Sequence, residues 1–100
     1  ANVSPLEISA AVQECPGVKI VATVGVPHDT LGEMVVSCVV PEDGSRVDES
    51  TVRSFVAQRL SSYKVPRRVL IIAESDLELT ASNKIKTAPL RELAARRLAV

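Results

Sequence analysis

The segment VKIVATVGV, Val18 to Val26, decides the fold class of this 100-residue chain. Its apolar residues alternate and many are β-branched, which predicts a strand. The loop PHDTLGE follows at Pro27 to Glu33, and the next segment, MVVSCVV from Met34 to Val40, is apolar at nearly every position. A run of this kind predicts a second strand that is covered on both faces. We therefore place two consecutive strands at the centre of the predicted structure.

Helices are predicted on both sides of these strands. SPLE, Ser4 to Glu7, has the residues of a capping box with proline in the first turn, and CPG at Cys15 to Gly17 ends that helix. After the turn PEDGS, a second helix begins near Asp48. Its apolar stripe has helical spacing and consists of Val52, Phe55, Val56 and Leu60.

A third strand and a last helix complete the chain. VLIIA, Val69 to Ala73, is the third strand, and a helix from about Ala88 turns four apolar side chains inward: Leu90, Leu93, Ala94 and Leu98. The predicted class is α+β, with a small three-stranded sheet covered by helices in the order α-β-β-α-β-α. If the second helix crosses over one strand, the third strand pairs beside the first and antiparallel to it. The length fits one domain, residues 1–100.

The charges divide unevenly along the chain. Residues 1–50 carry two basic and eight acidic side chains, net −6, whereas residues 51–100 carry ten basic and four acidic ones, net +6. One interpretation is a surface that meets an anionic partner, and the other is that the two signs interleave once the chain folds. Both interpretations stand on sequence alone.

The two cysteines predict no disulfide framework and no zinc site. Cys15 and Cys38 are far apart and lie in apolar context, so we expect two buried small hydrophobic side chains. A reducing, cytoplasmic compartment fits this usage. The sequence contains no signal-peptide pattern and no apolar run long enough to cross a bilayer. It also lacks an initiator methionine, so we expect a fragment of a longer protein.

The sequence contains no complete active site. His28 is the only histidine, and its loop position favours a solvated or turn-bonded side chain over a catalyst. No metal-ligand set, nucleophilic triad or glycine-rich phosphate loop occurs. The basic residues lack the interleaved aromatic residues of a single-strand nucleic-acid platform, so we expect no nucleic-acid partner.

One polar loop with two lysines stands out against this background. In LTASNKIK, Leu79 to Lys86, Lys84 follows Thr80, Ser82 and Asn83, all of which favour turns. Asparagine also tolerates a positive φ better than most residues do. A tight turn would fix the direction of Lys84. On spacing alone, Lys84 is either an exposed turn lysine or a catalytic group delivered to another domain's active site.

Four blocks in order give the chain a family resemblance. They are ANVSPLEISAAVQECPGV, VGVPHDTLGEMVVSCVVP, SYKVPRRV and LTASNKIKTAPLREL. Together they resemble the C-terminal domain of the adenylate-forming superfamily, which contains acyl-CoA synthetases, adenylation domains and firefly luciferase. The opening block and SYKVPR look most like the fatty-acyl-CoA synthetase branch.

The resemblance implies a small lid domain of a two-domain enzyme. In such enzymes a large N-terminal domain, outside this chain, binds ATP, Mg²⁺ and the carboxylic acid. The lid first delivers a lysine on a P-x-x-x-S-G-K loop for acyl-AMP formation, then turns another face inward so that the thiol of CoA attacks the acyl-AMP. Lys84 aligns with that lysine and Lys86 is a flanking charge. Glu78 stands where proline is common, and Asn83 stands where glycine is common.

The second, CoA-facing surface is less defined in the sequence. The resemblance places a hinge just upstream, of which Asn2 to Ser4 would be the remainder. Lys64, Arg67 and Arg68 form a basic cluster that could contact CoA phosphates or the large domain, or could be a solvated loop. Glu33 matches a family position and is expected to have a structural or interdomain role. The last helix carries three arginines expected to face solvent and to complement its dipole: Arg91, Arg96 and Arg97.

Three hypotheses follow for the whole protein. The first is the lid of an ATP-dependent ligase that joins a fatty or other hydrophobic acid to CoA, with Lys84 serving adenylation. The second is the lid of a fatty-acyl-AMP ligase or adenylation domain that loads a carrier protein. The third is an interaction domain that kept the fold and lost catalysis. In each case we expect the isolated domain to be inactive.

Overall fold

Residues 4–99 form three α-helices and a three-stranded sheet, in the predicted α-β-β-α-β-α order. The computed structural model describes residues 4–99. Its elements are α1 (Pro5–Gln13), β1 (Val18–His28), β2 (Gly32–Pro41), α2 (Glu49–Ala57), β3 (Arg68–Ile71) and α3 (Thr87–Leu98). Short 3₁₀ helices at Ser62–Lys64 and Glu74–Asp76 flank β3. The predicted α+β class is confirmed. Within residues 4–99, no helix is both long enough and apolar enough to cross a membrane.

The pairing of the third strand differs from the prediction. β1 and β2 form an antiparallel hairpin, and β3 lies beside β2 and parallel to it, so that the sheet order is β1-β2-β3. The expectation that β3 would pair with β1 in antiparallel fashion was wrong. The connection through α2 is long enough for a crossover, which returns the chain beside the strand it left and in the same direction. As a result, β2 is the central strand.

The helices cover both faces of the sheet. On one face, α1 and α2 bury Ile8, Val12, Val52 and Val56 against Val39 of β2 and Val69 of β3. On the other face, α3 buries Leu90 and Ala94 among β-strand residues that include Val24, Val36 and Cys38. The apolar character of MVVSCVV on both of its faces is thereby explained. Cys15 and Cys38 are free and buried, as predicted, and burial raises the pKa of the Cys38 thiol to about 11.

Side chains at the helix starts fix where α1 and α2 begin. The Ser4 hydroxyl accepts a hydrogen bond from the Glu7 backbone N–H at 3.4 Å, and the Asp48 carboxylate accepts one from the Thr51 N–H at 2.8 Å. The predicted return bond of a capping box does not form, because the Glu7 carboxylate instead contacts Lys64 at 3.2 Å. Of the segment Asn2 to Ser4, only Ser4 lies within the described residues.

Candidate functional site

A small hairpin presents Lys84 to solvent. Leu79 and Ile85 form an antiparallel bridge, the Thr80 N–H donates to the Lys84 carbonyl at 2.7 Å, and the Lys86 N–H donates to the Glu78 carbonyl at 2.8 Å. These bonds tie both arms of the loop together. Lys84 therefore sits at a defined position rather than on a free chain.

The turn of this hairpin depends on Asn83. The Asn83 N–H donates to the Thr80 carbonyl at 2.9 Å, and Asn83 has φ 63°, the only positive φ at a residue other than glycine among residues 4–99. The Thr80 hydroxyl accepts from the Lys84 N–H at 3.1 Å and also contacts the Ser82 hydroxyl at 3.2 Å. This is the common three-residue hairpin loop, a type I turn followed by one left-handed residue. The positive φ expected at Asn83 is confirmed.

The hairpin is anchored on the α3 face of the sheet. Leu77 and Ile85 pack, partly buried, against the core cluster that contains Leu90. Just before the hairpin, the Asp76 carboxylate accepts from the Ala73 N–H at 2.9 Å and from Arg97 of α3 at 3.4 Å. Arg97 is exposed, as expected from the sequence, and it also pairs with Asp76. These contacts hold the base of the loop while its tip stays exposed.

The Lys84 ammonium group is exposed and unpaired within the described part of the chain. No ion pair among residues 4–99 involves Lys84 or Lys86, and Glu78 pairs with neither of them. The Glu78 carboxylate thus does not neutralise Lys84 through an ion pair within residues 4–99. A positioned ammonium with three free donors can approach an anionic group supplied by another domain.

The three side chains of the expected basic cluster, Lys64, Arg67 and Arg68, have different surroundings in the structure. Lys64 binds Glu7 of α1 at 3.2 Å, with its side chain only 24% exposed, and lies 5.8 Å from the centre of the Tyr63 ring. Arg68 binds Glu49 of α2 at 2.7 Å. Only Arg67 keeps an exposed guanidinium with no ion pair among residues 4–99. The three side chains are therefore not one positive patch.

A groove beside Arg67 is also lined by Arg53, which was not among the site residues predicted from the sequence. The space, about 550 Å³, lies between α2 and the segment 62–68, and its lining contains Arg53, Arg67 and Arg68, Glu49, and the serines Ser50, Ser54 and Ser62. Arg53 Nε donates to the Pro66 carbonyl at 3.0 Å. The signal for Arg53 was its spacing, since residues 49, 50, 53, 54 and 57 lie on one face of α2, beside the apolar stripe.

Glu49 lines this groove, and its carboxylate already accepts hydrogen bonds from other residues of the chain. Burial by itself would raise the pKa of the Glu49 carboxyl group, but hydrogen bonds from Arg68 and from the Val69 backbone N–H outweigh it and lower the pKa. Those two donors lie at 2.7 and 2.8 Å from Oε2. Arg68 and Glu49 neutralise one another, which leaves Arg53 and Arg67 as the surplus charge of the groove.

Glu33 and His28 lie at the end of the β1–β2 hairpin where the turn connects the two strands. A methyl group at Gly25 would collide with the Glu33 carboxyl group, so the glycine makes room for that side chain. His28 Nδ1 accepts from the Thr30 and Leu31 backbone N–H groups at 3.2 and 3.0 Å. The turn-bonded interpretation of His28 is confirmed, and the structural or interdomain role of Glu33 stays a prediction.

Comparison with known proteins identifies the family. The family model of the AMP-binding enzyme C-terminal domain matches residues 7–84, a stretch that ends on Lys84. The chain belongs to this family.

Relatives of this AMP-binding C-terminal domain act, by their names, on different acids. An oxalate–CoA ligase of Arabidopsis thaliana is 36% identical over 85% of the chain, and an indoleacetate–CoA ligase of Aromatoleum aromaticum is 35% identical over 96%. The solved Mycobacterium tuberculosis fatty acyl CoA synthetase is 30% identical over 97% of the chain, with a TM-score of 0.87. The chain spans only 16%, 18% and 19% of these three relatives, respectively.

Proposed function

We propose that this chain is the C-terminal lid of an ATP-dependent acid–CoA ligase and that Lys84 is its adenylation lysine. The proposal is supported above all by the hairpin around Asn83, which presents Lys84, unpaired within residues 4–99, at the end of the family match. A large N-terminal domain would bind ATP, Mg²⁺ and the acid. The lid then contributes charge to a site built by its partner domain.

The proposed chemistry has two steps. In the first, an oxygen of the acid's carboxylate forms a bond to the α-phosphorus of ATP as the bond to the pyrophosphate oxygen breaks, giving acyl-AMP and pyrophosphate. Both reactants are anionic, so they repel one another. The Lys84 ammonium offsets this repulsion as charge moves toward the leaving pyrophosphate. In the second step the CoA thiol loses its proton, attacks the acyl carbon and releases AMP.

The relation between the two exposed basic regions supports a lid that uses more than one surface. The Lys84 hairpin packs on the α3 face of the sheet, whereas Arg67 lines the groove beside α2, which covers the opposite face. A domain that presents one of these regions to the partner turns the other away. Different regions of the lid would then serve adenylation and thioester formation.

The proposal specifies the substrate as a carboxylic acid and goes no further than its chemical class. The large domain reads the acid, and the relatives that share this C-terminal domain carry names for oxalate, indoleacetate and fatty acids. A fatty or other hydrophobic acid, as expected from the SYKVPR block, is the substrate to test first.

The test is an assay of the full-length protein that contains this chain. With ATP, Mg²⁺, CoA and a panel of acids, we expect AMP, pyrophosphate and one thioester to form in equal amounts. The 100-residue chain under the same conditions should form none of them. Thioester formation on a carrier protein but not on CoA would contradict the choice of acceptor, and absence of acid-dependent pyrophosphate release would contradict the ligase assignment.

A further inference from the structure

We infer that Thr80 is the positioning residue of Lys84, because its hydroxyl and its backbone together fix the direction in which the lysine leaves the hairpin. The inference rests on the proposed function for the reaction that Lys84 serves. In the sequence, Thr80 is one of three residues that favour a turn before Lys84, and nothing there singles it out. The folded hairpin distinguishes it from the other two.

The first support is that Thr80 holds Lys84 on both sides of its Cα atom. The Thr80 hydroxyl accepts from the Lys84 N–H at 3.1 Å, and the Thr80 N–H donates to the Lys84 carbonyl at 2.7 Å. That N–H and that carbonyl belong to the two rigid peptide planes that flank the Lys84 Cα. Restraining both planes restrains φ and ψ of Lys84, and these two angles set the direction of its Cα–Cβ bond.

The second support is that the hydroxyl bond is additional to the bonds that close the hairpin. The two arms are joined by the Leu79–Ile85 bridge, and the turn is closed by the Asn83 N–H, which donates to the Thr80 carbonyl at 2.9 Å. These contacts use backbone atoms and do not need the Thr80 side chain. What the side chain adds is a restraint on Lys84 itself.

The third support is the chemistry of the Thr80 side chain. A hydroxyl group offers one donor and two acceptor sites. The Thr80 hydroxyl uses an acceptor site for the Lys84 N–H and also lies 3.2 Å from the Ser82 hydroxyl. Thr80 is half-buried, whereas residues 81–84 are exposed. Its branched Cβ limits rotation about χ1, which keeps the acceptor beside the Lys84 N–H.

Positioning of this kind acts on rate rather than on substrate binding. In the proposed reaction, Lys84 enters a site built by another domain, and a misplaced group there loses much of its effect on the transition state. A loop that is already ordered has lost this freedom before the two domains meet. Loss of the Thr80 hydroxyl should therefore lower kcat for acyl-AMP formation and leave KM for ATP nearly unchanged.

The first test is amide hydrogen exchange in the 100-residue chain, whose sheet is covered on both faces by its own helices. Thr80→Val keeps the shape of threonine without the hydroxyl, and Thr80→Ser keeps the hydroxyl. Exchange at the Lys84 amide should be about three- to tenfold faster in the valine variant, because one hydrogen bond is lost, and within about twofold of the parent in the serine variant.

The Asn83 amide is an internal reference for this test, because its acceptor is the Thr80 carbonyl rather than the side chain. Its exchange should stay near the parent rate in both variants. Equal acceleration at Asn83 and Lys84 would mean that the whole turn loosens, which overturns the inference. An unchanged Lys84 rate in Thr80→Val would overturn it as well.

The second test measures pyrophosphate release from acid and ATP in the full-length protein. Thr80→Val should lower kcat about tenfold or more, with KM for ATP within about twofold of the parent. Thr80→Ser should restore kcat to within about threefold. The matched control is Thr87→Val, the same change at an exposed position three residues after Lys84, which should keep the parent kcat. Equal losses in the two valine variants, or no recovery with serine, would contradict a positioning role.

Failure of this inference is distinguishable from failure of the proposed function. If Lys84→Ala slows pyrophosphate release and Thr80→Val does not, Lys84 keeps its role and Thr80 is not its positioning residue. If Lys84→Ala leaves the rate unchanged, the adenylation role of Lys84 fails. Hydrogen exchange at the Lys84 amide then decides by itself whether Thr80 orders the lysine.

Discussion

Asn83 determines how Lys84 leaves the hairpin, because its left-handed backbone closes the turn that precedes the lysine. A side chain at φ 63° brings Cβ close to the following carbonyl oxygen, which costs most residues about 1–2 kcal/mol. Asparagine and glycine bear this conformation more easily. The residue at this position therefore controls both the stability of the loop and the order of Lys84.

We predict opposite effects for two substitutions of Asn83. Asn83→Gly should leave the free energy of unfolding unchanged or raise it by a few tenths of a kcal/mol, since glycine carries no Cβ. Asn83→Val should lower it by about 1–2 kcal/mol. Urea unfolding of the 100-residue chain measures both. A glycine variant that loses more stability than the valine variant would contradict the role assigned to this φ.

The Glu49 carboxylate predicts a dependence of stability on pH. Its pKa is lowered in the folded chain by the Arg68 and Val69 donors, against the effect of burial. A depressed folded pKa means that the contribution is present above the unfolded pKa and is lost as pH falls through the folded one. Between about pH 6 and pH 3, Glu49→Gln should therefore lose less unfolding free energy than the parent chain does.

Unfolding at several pH values checks this expectation. The control is Glu92→Gln, which changes an exposed carboxylate on α3. It should keep the parent's slope of unfolding free energy against pH. Identical slopes for Glu49→Gln and Glu92→Gln would show that the Glu49–Arg68 contact does not stabilise the folded chain.

At the scale of elements, β2 is the central strand, and its two faces contribute to the two core clusters of the fold. Local pattern was enough to predict the strands, since the alternation in β1 and the continuous apolar run in β2 are properties of short segments. It was not enough to predict the partner of β3, which depends on how the α2 crossover returns to the sheet. The same limit applies to Glu7, whose bond to Lys64 joins residues 57 positions apart.

A pair of leucine substitutions tests which helix positions support the sheet. Leu90 of α3 is 2% exposed and Leu6 of α1 is 82% exposed. Leu90→Ala should lower the free energy of unfolding by about 2–5 kcal/mol, because it leaves a cavity beneath the Lys84 hairpin. Leu6→Ala should change it by less than about 0.5 kcal/mol. Urea unfolding gives both values, and a similar loss in the two variants would contradict the core described for α3.

At the scale of the whole molecule, folding brings part of the acidic half of the sequence into contact with the basic half. Four of the five ion pairs within residues 4–99 join the acidic half to the basic half or the reverse: Lys19–Glu74, Glu14–Arg59, Glu7–Lys64 and Glu49–Arg68. The interleaving interpretation accounts for these charges. The cations that remain unpaired in the described chain include Arg53, Arg67 and Lys84. The turn alone left Lys84 either an exposed turn lysine or a catalytic group, and the family resemblance singled it out. The grouping of Arg53 with Arg67 needed the folded arrangement of α2 and the segment 62–68.

If Lys84 supplies the charge for adenylation, its removal should slow the first half-reaction and spare the second. In the full-length protein, pyrophosphate release from acid and ATP is compared between Lys84→Ala and Lys86→Ala, which remove the same charge two residues apart. Thioester formation from preformed acyl-AMP and CoA is followed in parallel. We expect Lys84→Ala to slow pyrophosphate release roughly 100- to 1,000-fold and to leave the thioester step largely intact, with Lys86→Ala near the parent rate. Equal pyrophosphate release by Lys84→Ala and the parent would contradict the account and leave Lys84 an ordinary exposed turn lysine.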